Sequence, residues 1–274
     1  MKVRLGQISY ANALPVYWGF RDHKLPPFLE ITQAPPSILN HLMAHDKLDI
    51  SPVSSISYAT HFNDWFIIPG LSIASRGRVM SVLLVRRLPL EQLSGKRVVV
   101  SEESETSVEL LRLCLQRKHV FPLIERGTVT RSILDDPDVS GGLVIGDLAL
   151  GLAGENPVNQ KTDLGLSWKE WTGKPFVFAL WAVRKQFAEK EPALVSQVIA
   201  ALNTSRNEGL KALPIITAQA SRKLGIDRKV METYFRGLSY RLDPEHEDGL
   251  RLFFRLSQER GHLKGPVPLE YFKI

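Results

Sequence analysis

The chain begins with the stretch Val3-Arg4-Leu5-Gly6-Gln7-Ile8-Ser9-Tyr10-Ala11-Asn12-Ala13-Leu14-Pro15, in which a strand-like run breaks at once into a polar turn. Leu14-Pro15-Val16-Tyr17 then reads as the beginning of the next element. In open α/β sheets, ligands bind beyond the carboxyl ends of the strands, where such a first strand delivers its loop. The stretch therefore predicts an α/β fold with a ligand site beside this turn. We also expect no secretory signal, because no apolar segment precedes residue 3.

Composition limits the class of protein further. With 274 residues, of which 44% are hydrophobic, the chain can build one large or two medium cores, and its length favours two domains. No apolar run approaches the roughly 18 residues that a membrane helix needs. The net charge of +6 comes from scattered basic pairs, which argues against a nucleic-acid partner and favours a small anionic ligand. The single cysteine, Cys114, lies in an apolar helical pattern and is interpreted as a buried residue rather than a nucleophile.

Two segments follow the same plan of helix, strand, polar cap and helix. The first runs from residue 35 to residue 55, and the second from residue 130 to residue 150. In both, Ser or Asp stands where a helix N-terminus would face a ligand crevice. The similarity is one of pattern rather than of residues, so it predicts two similar lobes and not a proven duplication.

Apolar runs also indicate where the chain passes between these lobes. Val79–Val85 is suited to a buried strand that crosses to the second lobe, and Pro175–Val183 to the return crossing. The chain then reads as helical, in the segments 193–212, 215–224, 228–238 and 244–260. We therefore predict a hinged, two-lobed α/β fold with a central ligand cleft. The first lobe is expected to comprise residues 1–84 and 182–274, including a helical C-terminal region, and the second lobe residues 85–181.

The familiar catalytic signatures are absent from the sequence. There is no glycine-rich nucleotide fingerprint, no P-loop, no zinc motif and no nucleophile elbow. His41 and His45 are spaced i,i+4 and could in principle hold a metal, but an exposed helix surface is the favoured interpretation. Glu102, Glu103 and Glu105 precede a helix, where they suit its N-terminus as well as they suit acid–base catalysis. We predict neither a metal nor a cofactor.

What remains is a set of small polar groups at the predicted ends of strands. They are Asn12, Ser54, Ser55, Ser81, Ser104, Thr106, Ser107 and Asp147. Each alone is more often a helix cap than a ligand contact. Together they stand where a two-lobed cleft would need groups that bind carboxylates and hydroxyls.

Several motifs together resemble the chorismate dehydratase family of the futalosine route to menaquinone. The stretch Ser9-Tyr10-Ala11-Asn12-Ala13-Leu14-Pro15 resembles its N-terminal SYLNALP motif, with Ala11 in a position where the family often has Leu. The further matches are residues 49–59, 73–77, 81–84, 104–107, 145–150 and 171–179. The resemblance weakens in the helical tail. A sister family in the same pathway, which acts on cyclic dehypoxanthinyl futalosine, carries an N-terminal Ser-Pro-x-x-x-Asp signature that has no counterpart at residues 7–15 here.

The resemblance implies a type II periplasmic-binding-protein fold recruited to catalysis in the cytoplasm. It implies loss of water from chorismate to give 3-[(1-carboxyvinyl)oxy]benzoate, with Asn12 and Ser81 as the central catalytic positions. As a hypothesis, the side-chain carboxylate of the substrate takes the ring proton, while Thr106 and Ser107 hold a carboxylate. The sister lyase and a non-catalytic protein that binds small anions are the alternatives. Oligomeric state and the identity of the base stay open.

Overall fold

The computed structural model describes residues 2–21, 24–153 and 160–273, and places eleven strands from these residues in two sheets. The strands are β1 (Val3–Ile8), β2 (Leu29–Ala34), β3 (Ile50–Ser54), β4 (Trp65–Ser75), β5 (Val82–Arg86), β6 (Arg97–Ser101), β7 (Leu123–Gly127), β8 (Gly141–Ile145), β9 (Gln160–Asp163), β10 (Phe176–Arg184) and β11 (Leu238–Ser239). The helices are α1 (Leu14–Tyr17), α2 (Pro36–Ala44), α3 (Ser55–His61), α4 (Glu105–Arg117), α5 (Gly146–Ala153), α6 (Leu164–Thr172), α7 (Lys185–Lys190), α8 (Pro192–Lys211), α9 (Leu213–Leu224), α10 (Arg228–Gly237) and α11 (Pro244–Glu259).

The first sheet has the strand order β11-β4-β10-β3-β1-β2. β1 lies parallel to β2, in unbroken register from Val3 opposite Leu29 to Ile8 opposite Ala34, and parallel to β3 on its other side. β10 runs antiparallel to β3 and β4 and is almost entirely buried. Because β1 and β3 are parallel neighbours, the loops that follow them emerge at the same edge of the sheet.

The second sheet has the order β7-β6-β8-β5-β9. β6 lies parallel to β7 and β8, whereas β5 runs antiparallel to β8 and β9. Val82 at the start of β5 pairs with Ile145 at the end of β8. Since β5 is antiparallel to β8, its first residues lie at the edge where β6 and β8 end. The residues just before β5 therefore join the polar loops at that edge.

Two crossings connect the sheets, and their positions differ from those expected. All of β5 pairs in the second sheet and all of β10 pairs in the first. The boundaries expected at 84/85 and 181/182 would cut through these strands, and the sheet pairing moves the crossings to residues 76–81 and 173–175. The physical reason is that an apolar run shows that a strand is buried, whereas its sheet is decided by pairing with strands distant in sequence.

The helical C-terminal region is confirmed, with α8 to α11 close to the bounds that the sequence predicts. Asp227 and Asp243 cap α10 and α11, because their carboxylates accept hydrogen bonds from first-turn backbone N–H groups. Apolar residues of α9 and α10 pack with Ala11 and Trp18 of the first lobe and with Leu150 of the second. The tail thus touches both lobes close to the turn that follows β1.

The structure also tests the predictions for two short helices, for Cys114 and for membrane spans. The helix expected at 130–134 is a 3-10 turn at Ile133–Asp135, whereas the helix at residues 35–43 is confirmed as α2. Burial raises the pKa of the Cys114 thiol to about 12, which suits an unreactive packing residue. No helix among the described residues is long and apolar enough to cross a membrane.

Gly209 marks the closest approach between α8 and α1. A Cβ atom at this position would lie 2.0 Å from the carbonyl oxygen of Pro15, so only glycine fits. We expect Gly209→Ala to lower the free energy of unfolding by about 1–3 kcal/mol, because the backbone of one helix must shift. Urea denaturation measures this loss. Gly265→Ala is the matched control, since no atom lies within 4 Å of a Cβ there, and equal effects of the two changes would contradict the prediction.

Candidate active site

A cleft opens between the lobes where the carboxyl ends of β1, β3, β6 and β8 meet. About 580 Å³ of atom-free space, the open mouth included, lies within it. Its polar lining side chains are Tyr10, Asn12, Ser54, Ser81, Ser104 and Ser107. Its apolar lining comes from Ile8, Pro36, Pro52, Ile73, Val79, Val82, Ile145, Phe178 and Ala179. Among the described residues, no charged side chain lines the cleft. The site is therefore neutral and suited to groups bound by hydrogen bonds.

Asn12 lies in the 3-10 turn Ala11–Ala13 that follows β1. Its Oδ1 atom is buried and has no hydrogen-bond partner among the described residues. The N-cap positions of this turn and of α1 are Tyr10 and Ala13, and neither side chain forms a capping hydrogen bond. Asn12 stands at neither position, so it is not a helix cap. A buried acceptor without a donor costs about 1–3 kcal/mol. A ligand hydroxyl or amine in the cleft would remove this cost.

Ser81 lies just before β5, at the edge of the second sheet that faces the cleft. Its carbonyl oxygen accepts a hydrogen bond of 2.9 Å from the backbone N–H of Gly146. Burial raises the pKa of Tyr234 on α10, and a side-chain hydrogen bond with Ser81 opposes that rise. Ser81 is therefore held from both the second lobe and the helical tail, with its side chain at the cleft.

The serines at the starts of α3 and α4 form two matching arrangements, one from each lobe. Ser54 accepts a hydrogen bond from the N–H of Ser57 and donates to the Ser57 hydroxyl. Ser104 does the same towards Ser107, with an oxygen–oxygen distance of 2.8 Å. Ser54 and Ser104 therefore cap α3 and α4, and Ser54, Ser104 and Ser107 also line the cleft. Because the Ser107 oxygen accepts from Ser104, its own proton is free to be donated to a ligand.

The other three expected substrate contacts lie outside the cleft lining, which differs from the sequence expectation. Ser55 donates to the carbonyl of Val177 at 2.6 Å. Thr106 accepts from the N–H of Ile56 at 2.9 Å, and Asp147 accepts from the N–H of Ala11 at 2.9 Å. Their polar atoms are occupied by backbone groups of the first lobe. A helix start carries several polar side chains, and here Thr106 and Asp147 bond to the other lobe whereas Ser55 bonds to β10 of its own lobe.

Contacts across the cleft join the two lobes. Besides the Thr106 and Asp147 contacts, the hydroxyl of Tyr10 donates to the carboxylate of Glu103. Burial, and then this hydrogen bond, raise the pKa of Tyr10, which keeps it a protonated donor. Glu103 thus has a partner, and Glu105, another candidate acid, pairs with Arg126 at 3.0 Å. These contacts explain the two glutamates without catalysis.

Sequence reasoning did not single out Tyr10 or the apolar lining of the cleft. Tyr10 had a signal, since it lies in the same turn as Asn12. Ile73 and Phe178 had none, because a residue in a buried strand gives no sign of which neighbour it faces.

The fold and the cleft define a two-lobed α/β protein of the periplasmic-binding-protein type. An Archaeoglobus fulgidus protein of known crystal structure is similar, with a TM-score of 0.78 and 17% identity over 95% of this chain and 98% of that one. The aliphatic sulphonate binding protein of Escherichia coli has a TM-score of 0.67 and 13% identity, over 98% of this chain and 90% of that one. At such identities the likeness concerns the fold alone.

Sequence comparison defines the family. A family model described as menaquinone biosynthesis matches residues 3–259. A chorismate dehydratase from Thermus thermophilus is 33% identical over 264 residues, covering 91% of this chain and 93% of that protein. The chain belongs to the menaquinone biosynthesis family, as the motif at residues 9–15 implies.

Proposed function

We propose that this chain converts chorismate into 3-[(1-carboxyvinyl)oxy]benzoate and water, as the first step of the futalosine route to menaquinone and in the cytoplasm. Family membership and the similarity to a chorismate dehydratase support the reaction. The observation in the site that carries it is the unpaired, buried Oδ1 of Asn12 in a neutral cleft. Doubly ionised chorismate has one hydrogen-bond donor, its ring hydroxyl, and that donor suits this acceptor.

The reaction is an elimination, for which the cleft needs only to orient the substrate. The carbon that bears the enolpyruvyl ether loses its proton, the electron pair forms a ring double bond, and the neighbouring C–O bond breaks. The departing hydroxyl takes up a proton and leaves as water, so the ring becomes aromatic. Aromatisation drives the step, and the protein contributes orientation and stabilisation of the developing charge.

The side-chain carboxylate of the substrate is the base in this proposal. Tyr10 is the titratable side chain that lines the cleft within the described residues, and its raised pKa makes it a donor rather than a base. Asn12 would accept from the leaving hydroxyl, or orient the ether through its amide N–H groups. Ser81 would donate to the departing oxygen. Both side chains reach the cleft from different lobes, so catalysis requires the lobes to be together.

The two serine arrangements would hold the carboxylates of the substrate. Ser54 and Ser104 donate their own protons to Ser57 and Ser107 and so orient these hydroxyl groups, and Ser107 has a free hydroxyl proton at the start of α4. The partial positive charge at the N-terminus of this 13-residue helix favours an anion. Neutral groups and a helix dipole bind a carboxylate without placing a cation next to the enolpyruvyl carboxylate. A cation there would make this carboxylate a weaker base.

Incubation of purified protein with chorismate tests the proposal. We expect an aromatic product that is one water lighter than chorismate, observed by proton NMR and mass spectrometry. Chorismate that binds but is recovered unchanged would indicate a small-anion-binding protein instead. Turnover of cyclic dehypoxanthinyl futalosine, with chorismate left intact, would indicate the sister lyase.

We expect ligand binding to close the lobes. The contacts of Tyr10, Thr106 and Asp147 all join one lobe to the other, so they form only when the cleft is closed. The crossings at residues 76–81 and 173–175 provide the hinge. Small-angle X-ray scattering should therefore give a smaller radius of gyration with the aromatic product bound than without it. Identical scattering curves, with binding confirmed by calorimetry, would contradict closure.

A further inference from the structure

Asp163 holds the backbone that leads to Ser81, although nothing in the sequence singled it out. It ends β9 and precedes α6. Its Oδ2 accepts from the N–H of Met80 at 2.7 Å, and both carboxylate oxygens lie 3.1 Å from the N–H nitrogen of Val79. Its Oδ1 also accepts from the N–H of Leu166 at 3.0 Å. One carboxylate thus binds three backbone N–H groups from two distant parts of the chain.

Met80 has a backbone conformation that needs such support. Its φ angle is +61°, in the left-handed region that residues with a side chain rarely adopt. Such a conformation persists only where the surroundings hold it, and such residues cluster at functional sites. The angle at Met80 sets the direction in which the next residue, Ser81, leaves the turn. Ser81 itself is then anchored through its carbonyl to Gly146.

The crossing between the lobes is held by contacts with both of them. Arg76 pairs with Asp243 at 3.0 Å, which ties the start of the crossing to α11 of the first lobe. A Cβ atom on Gly165 at the start of α6 would lie 2.6 Å from the carbonyl oxygen of Gly77, so α6 packs directly on the crossing. Asp163 fastens Val79 and Met80 to the second lobe. The crossing is thereby tied to the first lobe at Arg76 and to the second lobe at Val79 and Met80.

We propose that Asp163 is a positioning residue, which holds the turn at Val79 and Met80 so that the Ser81 hydroxyl keeps its place in the cleft and moves with the second lobe. The inference rests on the proposed role of Ser81 in dehydration. A helix-capping role alone would account for the contact with Leu166 and leave those with Val79 and Met80 unexplained.

Asp163→Ser separates the two roles. Serine caps a helix as well as aspartate does, but it has one short acceptor oxygen and cannot also reach Val79 and Met80. We expect kcat to fall by roughly 10–100-fold, because a small misplacement of a catalytic group has effects of this size. KM should change little, whereas the thermal midpoint should fall, because the N–H groups of Val79 and Met80 lose their acceptor. If Asp163→Ser does not fold, Asp163→Asn, which keeps one acceptor oxygen, takes its place with a smaller expected loss of kcat.

Two further measurements make the test specific. In a Ser81→Ala background, Asp163→Ser should cause no additional loss of kcat, whereas a general structural defect would lower it again. Amide hydrogen exchange should show lost protection at Val79 and Met80, and this readout does not depend on activity. Lost protection with an unchanged kcat would overturn the positioning role. Unchanged protection would also overturn it, as would an equal loss of kcat in the wild-type and the Ser81→Ala backgrounds. Absence of turnover in the unaltered protein would refute the proposed function, while exchange would still test the contact.

Discussion

Turnover of chorismate is expected to fall by roughly 10²–10³-fold when either Asn12 or Ser81 is replaced by alanine, the usual loss for one positioned polar group. The two side chains reach the same cleft from different lobes. In the proposed reaction Ser81 donates to the departing oxygen, where charge develops, and Asn12 orients the hydroxyl or the ether of the substrate. Steady-state kinetics on purified variants measures this loss, and we expect it in kcat more than in KM.

Stability distinguishes this prediction from a purely structural role. Removing the Oδ1 atom of Asn12 removes a buried acceptor that has no partner, so Asn12→Ala should keep or raise the thermal midpoint. Asn203→Ala and Ser196→Ala on α8 are matched controls, because each side chain donates to a carbonyl of the preceding turn of the same helix. Destabilised variants that retain turnover would contradict the catalytic assignment.

The second large effect is expected at a buried ion pair between the lobes. Glu109 of α4 is 1% exposed, and its carboxylate accepts two hydrogen bonds from Arg260, at 2.9 and 2.6 Å, just after α11. Arg260→Ala leaves this carboxylate buried without its main partner. We expect the free energy of unfolding to fall by about 3 kcal/mol, measured by urea denaturation.

Two controls show whether burial causes this loss. Arg255 pairs with Glu259 at 3.8 Å on the exposed surface of α11, so Arg255→Ala should cost less than about 1 kcal/mol. The double change of Glu109→Gln and Arg260→Met removes both charges and should be less destabilising than Arg260→Ala alone. If Arg260→Ala and Arg255→Ala cost the same, burial is not the cause.

Much of the fold is predictable from local pattern. The strand that breaks at Ser9, the helix after Pro35 and the four tail helices all follow from apolar periodicity and from turn or capping residues nearby in sequence. The position of Asn12 after the first strand follows in the same way, whereas the apolar run Val79–Val85 places Ser81 inside the predicted strand and the structure places it just before β5. The sheets that β5 and β10 join do not follow from local pattern, because pairing depends on strands far away in the chain.

Local sequence pattern also fails to predict which of two neighbouring polar residues at a helix start faces the cleft. Thr106 and Ser107 differ by one position and have similar chemistry, but side chains one residue apart on a helix point about 100° apart. Ser107 faces the cleft, whereas Thr106 accepts from Ile56 of the other lobe. No feature of the stretch 104–107 distinguishes them, since the partner comes from a different segment.

The α/β class, the helical tail and the polar groups near the cleft follow from local sequence patterns, because these features depend on interactions within a few residues. Which of those groups face the cleft depends instead on long-range packing, through contacts between the lobes such as that of Asp147 with Ala11. The same packing lets Asp163 hold Met80, a residue 83 positions away. Such contacts form when distant segments pack together, and their geometry is set by the packing of whole sheets and helices.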